Sequence, residues 1–188
     1  TGHGNIIDFN NLPISTYLPC DSPIHSIFVT HGHSLISNTK GVIQFFSLPM
    51  YTSTTDCELG NKESVMENGE TDLNNKFAVS TSGSGYSEFI QQSIILPKKN
   101  NQYYVFYKGM SNQSYDDYYA QVGDWNSDIF LNHIVDMSAN SGKGKVVIKD
   151  NLLMSNARLS VNSLSAARHA NGRDWWLVLP HREQDILY

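Results

Sequence analysis

The sequence predicts an all-β chain: an incomplete, β-propeller-like array of antiparallel hairpins, with a β-sandwich as the alternative. Three observations carry the prediction. One strand-turn-strand plan recurs, with cores beginning at Ser34, Ser93 and Ser165, 59 and 72 residues apart. A constant core with irregular spacing marks one supersecondary unit carrying variable loops. No convincing amphipathic helix longer than two turns is visible. Tyr-rich aromatics, at 11% of residues, are interleaved with Ser, Thr, Asn and Gly, a mixture that suits short strands joined by turns.

Taken in order, residues 1–25 hold one apolar patch at Ile6-Ile-Asp-Phe9, and Pro13, Pro19 and Pro23 exclude a helix. Any strand here is an edge or a linker. The first unit, near 26–48, has its core at 34–46: a short strand, a polar turn, then a strand ending in aromatics. From Pro49 to Asn75 the chain is polar, with Asn68-Gly69 as a turn, and reads as a surface crossing with little regular structure. The second unit, near 89–107, contains Ser93-Ile-Ile-Leu-Pro97 and Gln102-Tyr-Tyr-Val-Phe106. The third, 129–188, opens with a hairpin between 129–136 and 145–149, turned at Ala139-Asn-Ser-Gly142. Leu152 to Ser163 holds at most one helical turn.

The third unit closes with the most explicit hairpin in the chain. Asn171-Gly172 is a strong type I′ signal, because both central residues of that turn need positive φ. A two-residue loop sets His169 opposite Asp174, Arg168 opposite Trp175, Ala167 opposite Trp176 and Ala166 opposite Leu177. Small residues then face large ones, a charged pair closes the turn, and a guanidinium lies near an indole. His169 and Asp174 read as that closing pair rather than as an acid–base dyad. Near-continuous apolar strands, 94–96 and 175–179, imply sheets covered on both faces. Repeated hairpins covered on both faces point to stacked blades.

Composition excludes some functions. A formal charge of −5 with no concentrated basic face argues against nucleic acid. No apolar run approaches the ~20 residues of a helical membrane span. No signal peptide is visible, and a chain opening at Thr1 without Met reads as processed or as part of a longer protein. Cys20 and Cys57 fit one disulfide or two thiols equally well.

Candidate chemistry is sparse. Asp124, Asn126 and Asp128 space three side-chain oxygens at alternate positions, like the first half of a calcium loop. Ile129 and Val135 stand where an EF-hand needs Gly and Glu, so calcium is a weak candidate and a plain Asx-rich loop the better reading. His31 and His33 lack a third spaced ligand for zinc. Ser84, with Ser82 rather than Gly two residues before it, is no nucleophile elbow. Trp125, isolated among polar residues, is the candidate binding aromatic. No catalytic residue and no cofactor are predicted.

Leu164-Ser-Ala-Ala-Arg-His-Ala-Asn-Gly-Arg-Asp-Trp-Trp176 resembles the motif Leu-Thr-Ala-Val-Lys-His-Ala-Asn-Gly-Arg-Asp-Trp-Trp. That motif belongs to the N-terminal β-propeller-like region of large surface proteins exported by type IX secretion in gliding-type Gram-negative bacteria. Residues 6–10, 64–74, 92–106 and 135–147 resemble further stretches of that region in the same order, across nearly the whole chain. The turn at Asn38-Thr-Lys-Gly-Val-Ile-Gln-Phe-Phe-Ser-Leu-Pro49 departs from the family pattern. The resemblance implies an extracellular or outer-membrane-surface module of adhesin or gliding-motility type, part of a larger secreted protein, with no catalytic residues to carry over. Its partners would be a protein or glycan at the cell surface. A hydrolase on a propeller scaffold, or a filament or oligomer subunit joined through exposed strand edges, are the alternatives.

Overall fold

The computed structural model describes residues 6–8, 15–17, 34–48, 51–53, 65–70, 76 and 93–188. Cys20, Cys57, His31, His33 and Ser84 lie outside the described residues. Among those described the protein is mostly strand and predominantly antiparallel, as the sequence predicts. No described helix is long and apolar enough to cross a membrane.

A short ribbon pairs β1 (Ile6–Asp8) with β2 (Ser15–Tyr17). Four strands then follow as an antiparallel meander in chain order: β3 (Ser34–Ser37), β4 (Ile43–Leu48), β5 (Tyr51–Ser53) and β6 (Val65–Glu70). A second meander is β7 (Ser93–Pro97), β8 (Gln102–Gly109), β9 (Ile129–Asp136) and β10 (Lys145–Met154). The two meanders, the first and second sheets below, are halves of one eight-stranded array in the order β3-β4-β5-β6-β10-β9-β8-β7, joined through a single parallel bridge, Glu67 to Lys145, which the Lys145 Nζ–Glu67 Oε1 ion pair (2.6 Å) reinforces. At the opposite edges β3 and β7 meet, with Ser34 Oγ 3.0 Å from Ser93 Oγ.

Alternation along the strands explains why the second sheet is covered twice. One face carries Ile95, Tyr103, Val105, Val135 and Val146, which pack with Phe45 and Met66 of the first sheet. Phe45, fully buried, meets Tyr103 edge to face at 5.4 Å. The other face carries Ile94, Phe106, Phe130 and Met154. It packs against Ala157, Leu159 and Leu164 of the connecting segment and against Leu177 and Leu179 of a last hairpin, β11 (Ser165–Arg168) with β12 (Trp175–Val178).

Several sequence expectations need correcting. The polar stretch 49–75 holds β5 and β6. Met66 is 1% exposed and anchors β6 in the core, while polar Glu67 and Asn68 hide the strand pattern. Asn68-Gly69 is not a hairpin turn: Asn68 takes φ +62° inside β6, and Gly69 is buried. The hairpin at 129–154 joins the second unit's strands rather than the last hairpin, so 93–154 forms one half of the eight-stranded array and β11–β12 a separate two-stranded sheet. A helix, α1 (Asn112–Tyr119), slightly longer than two turns, interrupts β8 and β9.

The register of β11–β12 is the predicted one: Arg168 pairs with Trp175, Ala167 with Trp176 and Ala166 with Leu177, while His169 N donates to Asp174 O (2.8 Å). Its turn differs. Only Gly172 takes positive φ (+72°), and Gly172 N closes a turn onto His169 O. Asn171 acts through its side chain instead, with Oδ1 accepting from Arg173 N and Asp174 N, both at 3.0 Å. That Asx geometry replaces the second positive-φ residue without shifting the pairing. Asp174 is held by Asn171 and Arg173 rather than by a close ion pair with His169, and these contacts lower its pKa, the Asn171 bond most. Arg168 lies over the Trp175 ring at 5.9 Å. The expectation that β12 is covered on both faces fails at Trp176, which is 61% exposed.

Candidate functional site

The chain leaves β8 at Gly109, makes α1, and returns to β9 through 121–128. Ser111 caps α1, its Oγ accepting from Ser114 N (3.2 Å). The cap is itself tied down: Ser111 N donates to Asp128 Oδ1 at 2.7 Å, and Ser127 Oγ donates to Gly109 O at 2.7 Å. At the far end Gln121 takes φ +59°, and Val122 N and Gly123 N both donate to Asp117 O at 3.0 Å. A Cβ on Gly123 would stand 2.8 Å from Asp117 Cβ, so glycine is the residue this return admits. A third segment is stitched on by Ala157 N to Asp128 O (3.1 Å) and Leu159 N to Ser127 O (2.8 Å).

These three segments enclose an open, polar cavity of about 570 Å³. Ser111, Gln113, Ser114 and Asp117 of the helix form one wall, Gln121 to Asp124 with Asn126 and Asp128 the second, and Asn156 to Arg158 the third. The run 124–128 bends at Trp125 and makes an isolated bridge at Ser127 before β9 begins. Asp124, Asn126 and Asp128 all line the cavity, whereas Ser127 turns to Gly109 and Trp125 packs edge to face on Tyr118 at 4.7 Å.

The predicted oxygen triplet is thus brought to one wall. Asp128 is 7% exposed, while Asn126 Oδ1 is buried and has no hydrogen-bond partner among the described residues. Asp124 Oδ2 has two guanidinium groups beside it, Arg182 at 3.7 Å and Arg158 at 3.9 Å, and Arg158 also pairs with Glu183 at 2.6 Å. Among the described residues, no group of three or more His, Cys, Asp or Glu side chains could hold a metal ion. Trp125, the predicted exposed aromatic, is only half-buried but serves as packing for Tyr118, and its carbonyl accepts from Arg182. The open aromatic of this region is Tyr119, 63% exposed at the end of α1.

Sequence reasoning missed two polar groups in the core. Lys108 is fully buried and donates through Nζ to Ser160 O (2.8 Å) and Ser163 O (3.1 Å). Burial pushes its pKa down to about 8. On the opposite face, Tyr107 meets the His133 ring at a 41° tilt, centroids 4.8 Å apart, and donates to Asp150 Oδ1, while Asp150 N donates to His133 Nδ1 at 3.0 Å. That last bond leaves the neutral ring's proton on Nε2. Neither group has a sequence signature, because each is assembled across strands.

Compared with protein-family models, curated proteins and solved structures, the chain matches none.

Proposed function

We propose that the chain is a non-catalytic, extracellular binding module of a larger secreted surface protein, with an incomplete β-propeller-like array as its scaffold. In this reading each four-stranded meander is a blade, and β11–β12 opens the next. One observation carries it: the second sheet is sandwiched, with the first sheet on one face and the last hairpin on the other. A two-layer β-sandwich would need only one of those interfaces. Binding is assigned to the loop-built cavity beside α1, since loops on a rigid sheet scaffold are where recognition groups concentrate. The adhesin-type role and type IX export rest on the resemblance of the Leu164 to Trp176 motif.

Surface assembly through a strand edge is a second reading with its own support. Leu179 and Tyr188 exchange hydrogen bonds on the edge of the last hairpin that faces away from β11. By the alternation of an antiparallel ladder, Trp175 and Leu177 direct their backbone groups to that same edge.

The test pairs binding with turnover on one sample. Labelled protein should bind a cell-surface extract saturably and leave chromogenic ester, glycoside and peptide substrates unhydrolysed. Turnover that disappears on substitution of a cavity residue would replace the binding module with the hydrolase. Light scattering on the same sample decides the edge reading, a defined oligomer supporting it and a monomer removing it.

A further inference from the structure

We infer that the cavity beside α1 is a binding site for a neutral carbohydrate, one or two sugar rings carrying free hydroxyls. The inference rests on the binding-module reading and names its ligand class.

The cavity's size comes first. At about 570 Å³ it falls within the roughly 300–1,000 Å³ of small-molecule sites. A bare cation would need only a tight cage of oxygens.

Hydrogen-bonding character comes second. Asn126 lines the cavity and its buried Oδ1 has no partner among the described residues, so a turn of that side chain would bring a costly orphan acceptor to a ligand's donor. Asp128 beside it is 93% buried by its 7% exposure and receives a bond from Ser111 N at Oδ1. The ligand must therefore bring donors to this wall. Across the cavity Arg158, whose guanidinium already holds Glu183 at 2.6 Å, offers its remaining N–H groups to further acceptors. A sugar hydroxyl is donor and acceptor at once, so adjacent hydroxyls of one ring can serve both walls.

Charge comes third. Asp117, Asp124 and Asp128 disfavour an anion, while Arg158 and Arg182, both within 4 Å of Asp124 Oδ2, oppose a cation there. An uncharged ligand avoids both penalties. Planar amide, carboxylate and guanidinium ends line the site and suit the paired hydroxyls of a pyranose.

The experiment is a screen of the whole chain on an array of neutral glycans. It is followed by calorimetry with the methyl glycoside or disaccharide of the strongest hit, in chelator and again with calcium. We expect saturable binding in chelator, weakened about tenfold by Asn126→Ala, the loss of one neutral hydrogen bond. Arg158→Gln, on the opposite wall, should weaken it similarly. Both side chains border solvent, and unchanged thermal midpoints will show that the fold survives. No hit on the array overturns the carbohydrate assignment, and saturable binding to the surface extract would still leave the module reading standing. Glycan binding untouched by both substitutions moves the ligand elsewhere and overturns the site. One equivalent of calcium bound without glycan and lost in Asn126→Ala makes this a metal site instead.

Discussion

The two interfaces of the second sheet are built on different principles. Against the first sheet the contact is apolar: Phe45 and Met66 enter among Ile95, Tyr103, Val105, Val135 and Val146. Against the last hairpin the apolar contact of Phe130, Leu164, Leu177 and Leu179 is shared with a buried ammonium, Lys108, which holds the carbonyls of Ser160 and Ser163. The first interface is held by area and shape. The second is fastened by charge-assisted hydrogen bonds to an irregular segment that pairs through isolated bridges, Leu159 with Ser127 and with His181, rather than through a continuous ladder. A segment between β10 and β11 must have its carbonyls satisfied once it is buried. Lys108 supplies both donors from a neighbouring strand.

The largest effect should come from the apolar interface. Phe45→Ala removes a fully buried ring at the centre of both sheets' contact, and we expect a loss of about 3 to 5 kcal/mol. Urea unfolding reads it directly. A loss under about 1 kcal/mol would mean the sheets do not rely on this contact.

The next effect is a pH dependence belonging to the polar interface. Lys108 ionises at about 8 in the folded protein and at its ordinary 10.5 when unfolded. Below pH 8 both states are protonated, and the burial penalty on the charge is fully present. Between pH 8 and 10.5 the unfolded chain binds more protons, so stability rises with pH. The whole rise is worth about 3 kcal/mol. In Lys108→Met that increment should vanish, leaving the other lysines and tyrosines to set the slope. Urea midpoints of both proteins at about pH 8 and about pH 10.5 isolate it, and parallel profiles would refute it.

The same comparison explains what could be read in advance. The β11–β12 register was legible because Ala166 and Ala167 face Leu177 and Trp176 and the Asn-Gly pair marks the reversal. The turn was not, since Asn171 uses its side chain where its backbone was expected. β6 escaped notice because Glu67 and Asn68 break its alternation, and only burial of Met66 reveals it. Helix α1 buries no residue, so it has no apolar stripe to detect; Ser111 before it and Gly123 after it were its only marks. At the site, the alternate spacing of Asp124, Asn126 and Asp128 was visible as three side-chain oxygens at every second position of an Asx-rich loop. The cavity was not, because its other walls come from residues 111–117 and 156–158 and meet only through tertiary hydrogen bonds.

The smallest effect sharpens the comparison at its outer limit. Trp175 and Trp176 are sequence neighbours on opposite faces of one strand. Trp175 turns inward, donating Nε1–H to Pro97 O at 3.1 Å and taking Arg168 over its ring. Trp176 turns outward, 61% exposed, with His169 as its ring neighbour at 5.3 Å. Trp176→Ala should therefore shift stability by less than about 0.5 kcal/mol. Trp175→Ala should cost several times that, from the lost hydrogen bond and cation–π contact. Thermal midpoints of the two variants measure the difference. The outcome also bears on the array: if another sheet covers this face in solution, Trp176→Ala will cost as much as its neighbour, and its fluorescence in the intact protein will be that of a buried indole. A cheap Trp176 with solvent-quenched emission instead leaves the last hairpin as the outer layer of the stack.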